Sequence, residues 1–271
     1  KKYSNIINEI KKFPSLIIMD EILLLKDRLK KVETGKTFLL QGGDCAETFK
    51  EFSENKIQAK LKILLQMSTI ISYGTSTDIL KIGRFAGQYA KPRTQDYEKR
   101  NNIILPIFRG DSINDIEFSM TARTPNPKRL LKAYHYSANT LNLLKTYIKS
   151  ETTNLSKINF WNGQAFSKTK NYKRYKEIMK KINQSIKFLY TLGYPQKDIL
   201  QNNKFNEFFI SHEGLLLDYE SALTKKHQPS NKYYAGSAHM LWLGDRTRRI
   251  DSAHVEFLSG VENPIGIKCG P

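Results

Sequence analysis

Residues 38–49 read FLLQGGDCAETF. An apolar run, Phe38-Leu39-Leu40, stops at Gln41-Gly42-Gly43-Asp44, and a cysteine follows. A short apolar run closed by a glycine turn predicts a buried strand over 37–40 with polar groups at its C-terminal end. Cys45 is one of two cysteines in the chain, the other being Cys269. Two such distant cysteines make no disulfide framework, and the chain reads as intracellular.

The same grammar recurs outward from this stretch. ILKIGRFAG (79–87) predicts a second strand over 79–82 running into a glycine turn. EGLLLDYE (213–220), MLWLGDRTR (240–248) and NPIGIKCGP (263–271) are further apolar runs bounded by Gly, Asp and Arg. They predict strands over 213–217, 240–243 and 265–267. Helical spacing lies between them: over 5–30 around a break at Pro14, over 54–72 (ENKIQAKLKILLQMSTIIS), and in DSAHVEFLSGV (251–261). The stretch 97–205 is polar and mostly helical, with clear periodicity at 127–149 and 172–193. Repeated strand-then-helix order predicts a parallel α/β fold. There is no internal repeat and no low-complexity linker.

Composition narrows the classes. The 271 residues are 39% hydrophobic and 26% charged, ordinary for a globular protein. No apolar run is long enough to span a bilayer. The basic N-terminus, broken by Pro14, lacks the apolar core of a secretory signal, so the expected compartment is the cytoplasm. The net charge is +18 and the pI about 9.7. That balance admits nucleic acid, an anionic membrane or phosphorylated small molecules, or a compositional drift toward Lys. Basic residues are spread along helices such as KNYKRYKEIMKKINQSIK without a dense block or regular aromatic interleaving. No nucleic-acid or membrane partner is therefore expected, and a basic nucleic-acid-binding protein is the least supported alternative.

Polar residues gather where the predicted strands end. Asp44, Cys45 and Glu47 follow the first. Arg84, Gln88, Lys91 and Arg93 follow the second. Asp218 and Glu220 follow the third, Asp245, Arg246 and Arg248 the fourth, and Lys268 the fifth. In a parallel barrel all strand C-termini open on one face. Arg and Lys from several strand ends at one mouth would suit a substrate bearing phosphate and carboxylate. Each residue also has a plainer reading. Cys45 could be a small buried filler, Asp44 and Glu47 helix caps, and Arg246 and Lys268 solvated charges. His239 and His254 read as packed, hydrogen-bonded histidines and Trp242 as core.

The blocks QGGDCAETF, RFAGQYAKPRT, FRGDSIN, HEGLLLDYE, SAHMLWLGDRTR and DSAHVEFLSGVENPIGIKCGP resemble, in order, those of the class II (plant-type) 3-deoxy-D-arabino-heptulosonate 7-phosphate (DAHP) synthases. The resemblance runs from about residue 20 onward and is weakest over 97–205, where INFWNGQAF looks like a drifted family segment. It implies a (β/α)8 TIM barrel, of which residues 1–271 supply about the first five strands, with an N-terminal helical extension (1–35) and a helical insertion (97–205) between strands two and three. It implies condensation of phosphoenolpyruvate with erythrose 4-phosphate, the first step of the shikimate pathway to the aromatic amino acids, aided by a divalent metal. Manganese is the first expectation, cobalt or magnesium the alternatives.

Residue by residue, the resemblance implies that Cys45 ligates the metal. Arg84, Asp245 (through its main chain), Arg246 and Lys268 would hold phosphoenolpyruvate. Lys91 would stand between the substrates as the catalytic residue, and Arg93 and Thr94 would meet erythrose 4-phosphate. Asp111 and Asn114 receive no role. The family's later blocks, an RMG-like arginine, a DPMHGNT-like histidine and further acidic ligands, have no counterpart in these residues. The expectation is a C-terminal segment or second chain that completes the barrel, a homo-oligomer when complete, and little activity for residues 1–271 alone. A non-catalytic fragment or subunit of the same fold is the alternative.

Overall fold

The computed structural model describes residues 2–150, 169–194 and 207–270. Five parallel strands form one sheet: β1 (Thr37–Gly43), β2 (Asp78–Arg84), β5 (Phe209–Glu213), β8 (Met240–Leu243) and β9 (Ile265–Ile267), in spatial order β1-β2-β5-β8-β9. Two hairpins stand apart from it, β3 (Tyr97–Arg100) with β4 (Ile103–Pro106), and β6 (Thr224–His227) with β7 (Lys232–Ala235). The helices are α1 (Lys2–Ile10), α2 (Met19–Glu33), α3 (Glu54–Thr75), α4 (Met120–Arg123), α5 (Lys128–Lys149), α6 (Tyr172–Thr191), α7 (Leu217–Leu223) and α8 (Ala253–Ser259). Neighbouring strands that are all parallel and arrive in chain order, with helices between, make an α/β half-barrel.

Strand β2 shows why the sheet sits inside. Ile79, Leu80, Lys81, Ile82 and Gly83 are all buried, as expected of a parallel strand covered on both faces. Leu80 and Ile82 share a cluster with Phe209, Met240 and Leu25 of α2. Ile79 faces the other way, onto Leu40 and Leu64 of α3. The helices obey local rules: Ser53 Oγ accepts the Lys56 amide at the start of α3, and Ser252 Oγ accepts the Val255 amide at the start of α8. Pro14 lies in the break between α1 and α2, where the sequence places it.

The third strand is a correction. The run GLLLDYE was expected to be the strand, over 213–217, but the chain builds β5 from Phe209–Glu213 and turns the leucines into α7. Leu216, Tyr219, Ala222 and Leu223 recur at helical spacing and pack on Ile6, Ile10 and Leu130. FISHE alternates instead: Phe209 faces the cluster with Leu80 and Ile82, while Ile210 joins the larger core with Leu241 and Leu258. Residues 97–205 also differ in detail, because they open on the β3–β4 hairpin rather than a helix. INFWNGQAF lies outside the described residues.

Candidate active site

Cys45, Arg84, Lys91, Arg93, Thr94, Asp245, Arg246 and Lys268 all line one cavity of about 640 Å³ at the C-terminal ends of the five strands. The register explains the convergence. Gly43 of β1 pairs with Arg84 of β2, so Cys45 and Arg84 leave the sheet side by side. Leu243 of β8 pairs with Ile267 of β9, so the Asp245–Arg246 turn and Lys268 leave together. The Lys268 amide donates to Leu243 O at 3.0 Å.

The loop that carries Lys91, Arg93 and Thr94 is fixed from both sides. Glu47 is buried, and its carboxyl oxygens accept the amides of Ala86 (3.1 Å), Gly87 (2.9 Å) and Gln88 (2.8 Å). Ala86 sits at φ 63°, a left-handed conformation that a non-glycine residue holds only when its surroundings demand it. Further along, the Lys91 amide donates to Arg109 O at 2.8 Å, and the Arg93 Nε donates to Phe108 O at 2.7 Å. Asn114 and Asp111, which sequence reasoning left without a role, brace this region. Asn114 Oδ1 accepts the Arg109 amide (2.8 Å) and its Nδ2 donates to Ile107 O (2.9 Å). Asp111 Oδ2 accepts the Phe49 amide (2.6 Å).

Two strand ends are tied across the cavity. Arg246 Nε and Nη2 both donate to Thr94 Oγ1, at 3.0 and 2.8 Å. Arg84 lies over the indole of Trp242, its guanidinium carbon 4.5 Å from the ring centroid, and its Nε is buried without a hydrogen-bond partner. Among the described residues no carboxylate is ion-paired with Arg84, Lys91, Arg93, Arg246 or Lys268, whereas Asp245 pairs with Arg248 at 2.9 Å. Five cations lining one cavity without such partners create a strong positive field, suited to a multiply charged oxyanion.

Several expectations need correction. Trp242 was read as core, yet it is a wall of the cavity beneath Arg84. Asp218 and Glu220 do not reach the mouth, because they ride on α7. Asp218 accepts from Tyr3 Oη at 2.8 Å, and the buried Glu220 meets His212 Nε2 at 2.7 Å and Ser237 Oγ. Asp44 turns to Lys60 of α3, and Gln88 is buried with its Oε1 accepting the Glu213 amide. Cys45 is exposed among the described residues and lines the cavity instead of packing into the core they form. His239 is packed as expected, its Nδ1 accepting the Ile210 amide at 3.0 Å.

Sequence reasoning missed Gln41 and Glu213 as cavity residues. Gln41 Nε2 donates to Ser211 Oγ at 2.9 Å, a polar bridge between β1 and β5. Glu213 was hidden by the misplaced third strand; the alternation of FISHE is the signal that points Ser211 and Glu213 inward. Burial pushes the Glu213 carboxyl above the ordinary range, against the pull of Arg84 and then of Lys268, Arg246 and His254. Gly244 lies close beside it: a Cβ there would stand 2.0 Å from Glu213 Oε1, so any side chain at 244 would displace the carboxyl.

Among the described residues, no group of three or more His, Cys, Asp or Glu is placed to hold a metal ion. The described part of the cavity offers one thiol, Cys45, and does not by itself make a metal centre.

The family model described as "Class-II DAHP synthetase family" matches residues 1–271. The chain belongs to that family. It is similar to the phospho-2-dehydro-3-deoxyheptonate aldolase of Streptomyces coelicolor, 42% identical over 266 residues that cover 98% of this chain and 58% of the relative. The enzyme of the same name from Neurospora crassa is 41% identical over 278 residues, covering 97% and 57%. The AroG aldolase of Mycolicibacterium smegmatis is 38% identical over 263 residues, covering 95% and 55%. The chain therefore spans a little over half the length of these class II relatives. No described helix is long and apolar enough to cross a membrane.

Proposed function

We propose that this chain carries the substrate-binding half of a DAHP synthase, which joins phosphoenolpyruvate to erythrose 4-phosphate with release of phosphate. The observation that carries this reading is the convergence of Arg84, Arg246 and Lys268, from three different strands, on one cavity in which no described carboxylate is paired with them. Phosphoenolpyruvate offers a carboxylate and a phosphate, the groups that such forks and point charges hold. Arg93 and Thr94 face the second phosphorylated substrate. Thr94 already touches Arg246, so the two subsites adjoin.

The chemistry assigned to the residues follows. Arg84, seated over the Trp242 ring, and Lys268 fix the anionic groups of phosphoenolpyruvate, so that its C3 faces the aldehyde carbon. Lys91 donates a hydrogen bond to the aldehyde oxygen as negative charge develops there. C3 bonds to the aldehyde carbon, the aldehyde oxygen takes a proton, and the cationic C2 adds water with loss of a proton; the resulting tetrahedral carbon expels phosphate by C–O cleavage and becomes the ketone of the product. Holding both reactants in this geometry converts an encounter of two molecules into a step within one complex, worth several kcal/mol. Residues 1–271 are read as one incomplete barrel domain, with 1–35 as its helical extension and 97–205 as its insertion. Cys45 is assigned as one donor to a divalent ion, manganese first, whose other donors come from a completing segment outside residues 1–271. A divalent ion would supply Lewis acidity at the aldehyde.

The test is product formation from the two substrates by the protein at its full natural length. In that protein Arg246→Lys keeps a charge but loses the fork shared with Thr94. Phosphoenolpyruvate binding should weaken by about 1.5 kcal/mol, roughly tenfold. Unchanged binding by calorimetry would remove Arg246 from the subsite. Cys45→Ser is expected to lower bound manganese at least tenfold, read by metal analysis after dialysis, while the thermal unfolding of the metal-free protein stays in place. Retained metal would take Cys45 out of the ligand set.

A further inference from the structure

Glu213 is an acid among cations that no role above absorbs. It closes β5, lines the cavity, and keeps its Oε1 buried with no hydrogen-bond partner. Its carboxyl lies against the backbone at Gly244, where a Cβ would stand 2.0 Å from Oε1. A carboxylate oxygen in that position would repel any oxyanion held by Arg84, Arg246 and Lys268. A protonated carboxyl would instead offer it an O–H.

The surroundings of Glu213 decide which form is favoured. From β2 it faces Arg84, from the turn after β8 Arg246, from the end of β9 Lys268, and from α8 His254. These four favour the ionised form, and Arg84 acts most strongly. The other acid nearby, Asp245, is paired with Arg248. The Glu213 amide is spent on Gln88 Oε1. Lys91, Arg93 and the Cys45 thiol complete the titratable lining. Burial opposes ionisation and already outweighs the cations. When an oxyanion pairs with Arg84, Arg246 and Lys268, their pull on Glu213 is neutralised while its burial remains or deepens.

We propose that Glu213 takes up a proton when an oxyanion binds in this cavity, so that anion binding and protonation are one coupled event. The proton removes the repulsion between Glu213 and the bound anion and relieves the burial of a charged, unpartnered oxygen. By linkage, anion affinity falls as pH rises, by up to about tenfold per pH unit above the Glu213 pKa of the empty site. The coupling needs an oxyanion only. It rests on the proposed function solely for the natural ligand's identity.

Sulfate is the probe, because it does not titrate near neutral pH. Its binding to the protein at full natural length is measured by calorimetry in two buffers of different ionisation enthalpy, which together give the number of protons bound. Over a series of pH values, the wild-type protein is expected to take up protons as sulfate binds. Glu213→Gln is expected to take up almost none, to bind sulfate at least as tightly, and to lose the fall in affinity with rising pH. No uptake by the wild-type protein, equal uptake by the variant, or no sulfate binding would each overturn the proposal. A parallel titration with phosphoenolpyruvate separates the two readings. Coupled sulfate binding without phosphoenolpyruvate binding would sink the proposed function and leave this inference standing.

Discussion

A polypeptide limited to residues 1–271 is expected to release no phosphate from phosphoenolpyruvate and erythrose 4-phosphate above a protein-free blank, even with added manganese. Strands β1 and β9 are the outermost of the five-stranded sheet, and neither pairs on its outer side with a described strand. Their residues Phe38 and Ile267 are 51% and 61% exposed. An open parallel edge with apolar side chains invites pairing with another chain. The cavity is equally open, with one thiol where a divalent ion needs several donors in fixed geometry. A segment supplying the remaining strands should bind this polypeptide, raise its unfolding temperature and bring turnover with it. Robust turnover by residues 1–271 alone would show that these edges need no covering, and the half-barrel reading would fall.

Glu47→Ala is expected to be the most damaging single substitution away from the cavity lining. It leaves the buried amides of Ala86 and Gln88 and the half-buried amide of Gly87 without an acceptor, and the left-handed turn at Ala86 without its clamp. Two buried amides and a half-buried one losing their partner cost about 3–5 kcal/mol together. Lys91, Arg93 and Thr94 lie on the loop downstream, so anion binding should fall along with stability. Glu47→Gln keeps one acceptor oxygen and should recover part of the loss. Denaturant unfolding of the three proteins checks this, and a Glu47→Ala midpoint equal to wild type would show that the turn holds itself.

Much of this was legible in the sequence because the strands carry their own punctuation. LKIGR, MLWLGD and PIGIK each pair an apolar run with a glycine and a charge, and each became a strand with that charge at the cavity, while FLLQGG, with a glycine pair but no charge, became the strand that brings Gln41 and Cys45 there. GLLLDYE carries the same punctuation and misled for a physical reason. Three consecutive leucines fit a buried strand and a helix start equally well, and only the recurrence at 216, 219, 222 and 223 separates them. The true strand, FISHE, is short and half polar. Its Ser211 and Glu213 face a polar interior, where the usual apolar signal is absent. Trp242 escaped for a related reason: nothing local distinguishes an indole packed in a core from one beneath an arginine. Glu47 needed three-dimensional information, since its partners lie about forty residues downstream, from the Ala86 amide onward.

The register of β8 on β9 has a consequence for quality control of folding. Side chains alternate along a strand, so the alignment that sets Leu243 against Ile267 is also the one that delivers Arg246 and Lys268 to the same mouth. A slip by one residue would turn Lys268 away while leaving three short strands still able to pair. Secondary-structure content would barely record such an error. Anion capture would record it at once, because it requires β2, β8 and β9 to be aligned simultaneously. If the cavity binds anions as proposed, their affinity would be a finer gauge of correct folding than any measure of how much sheet has formed.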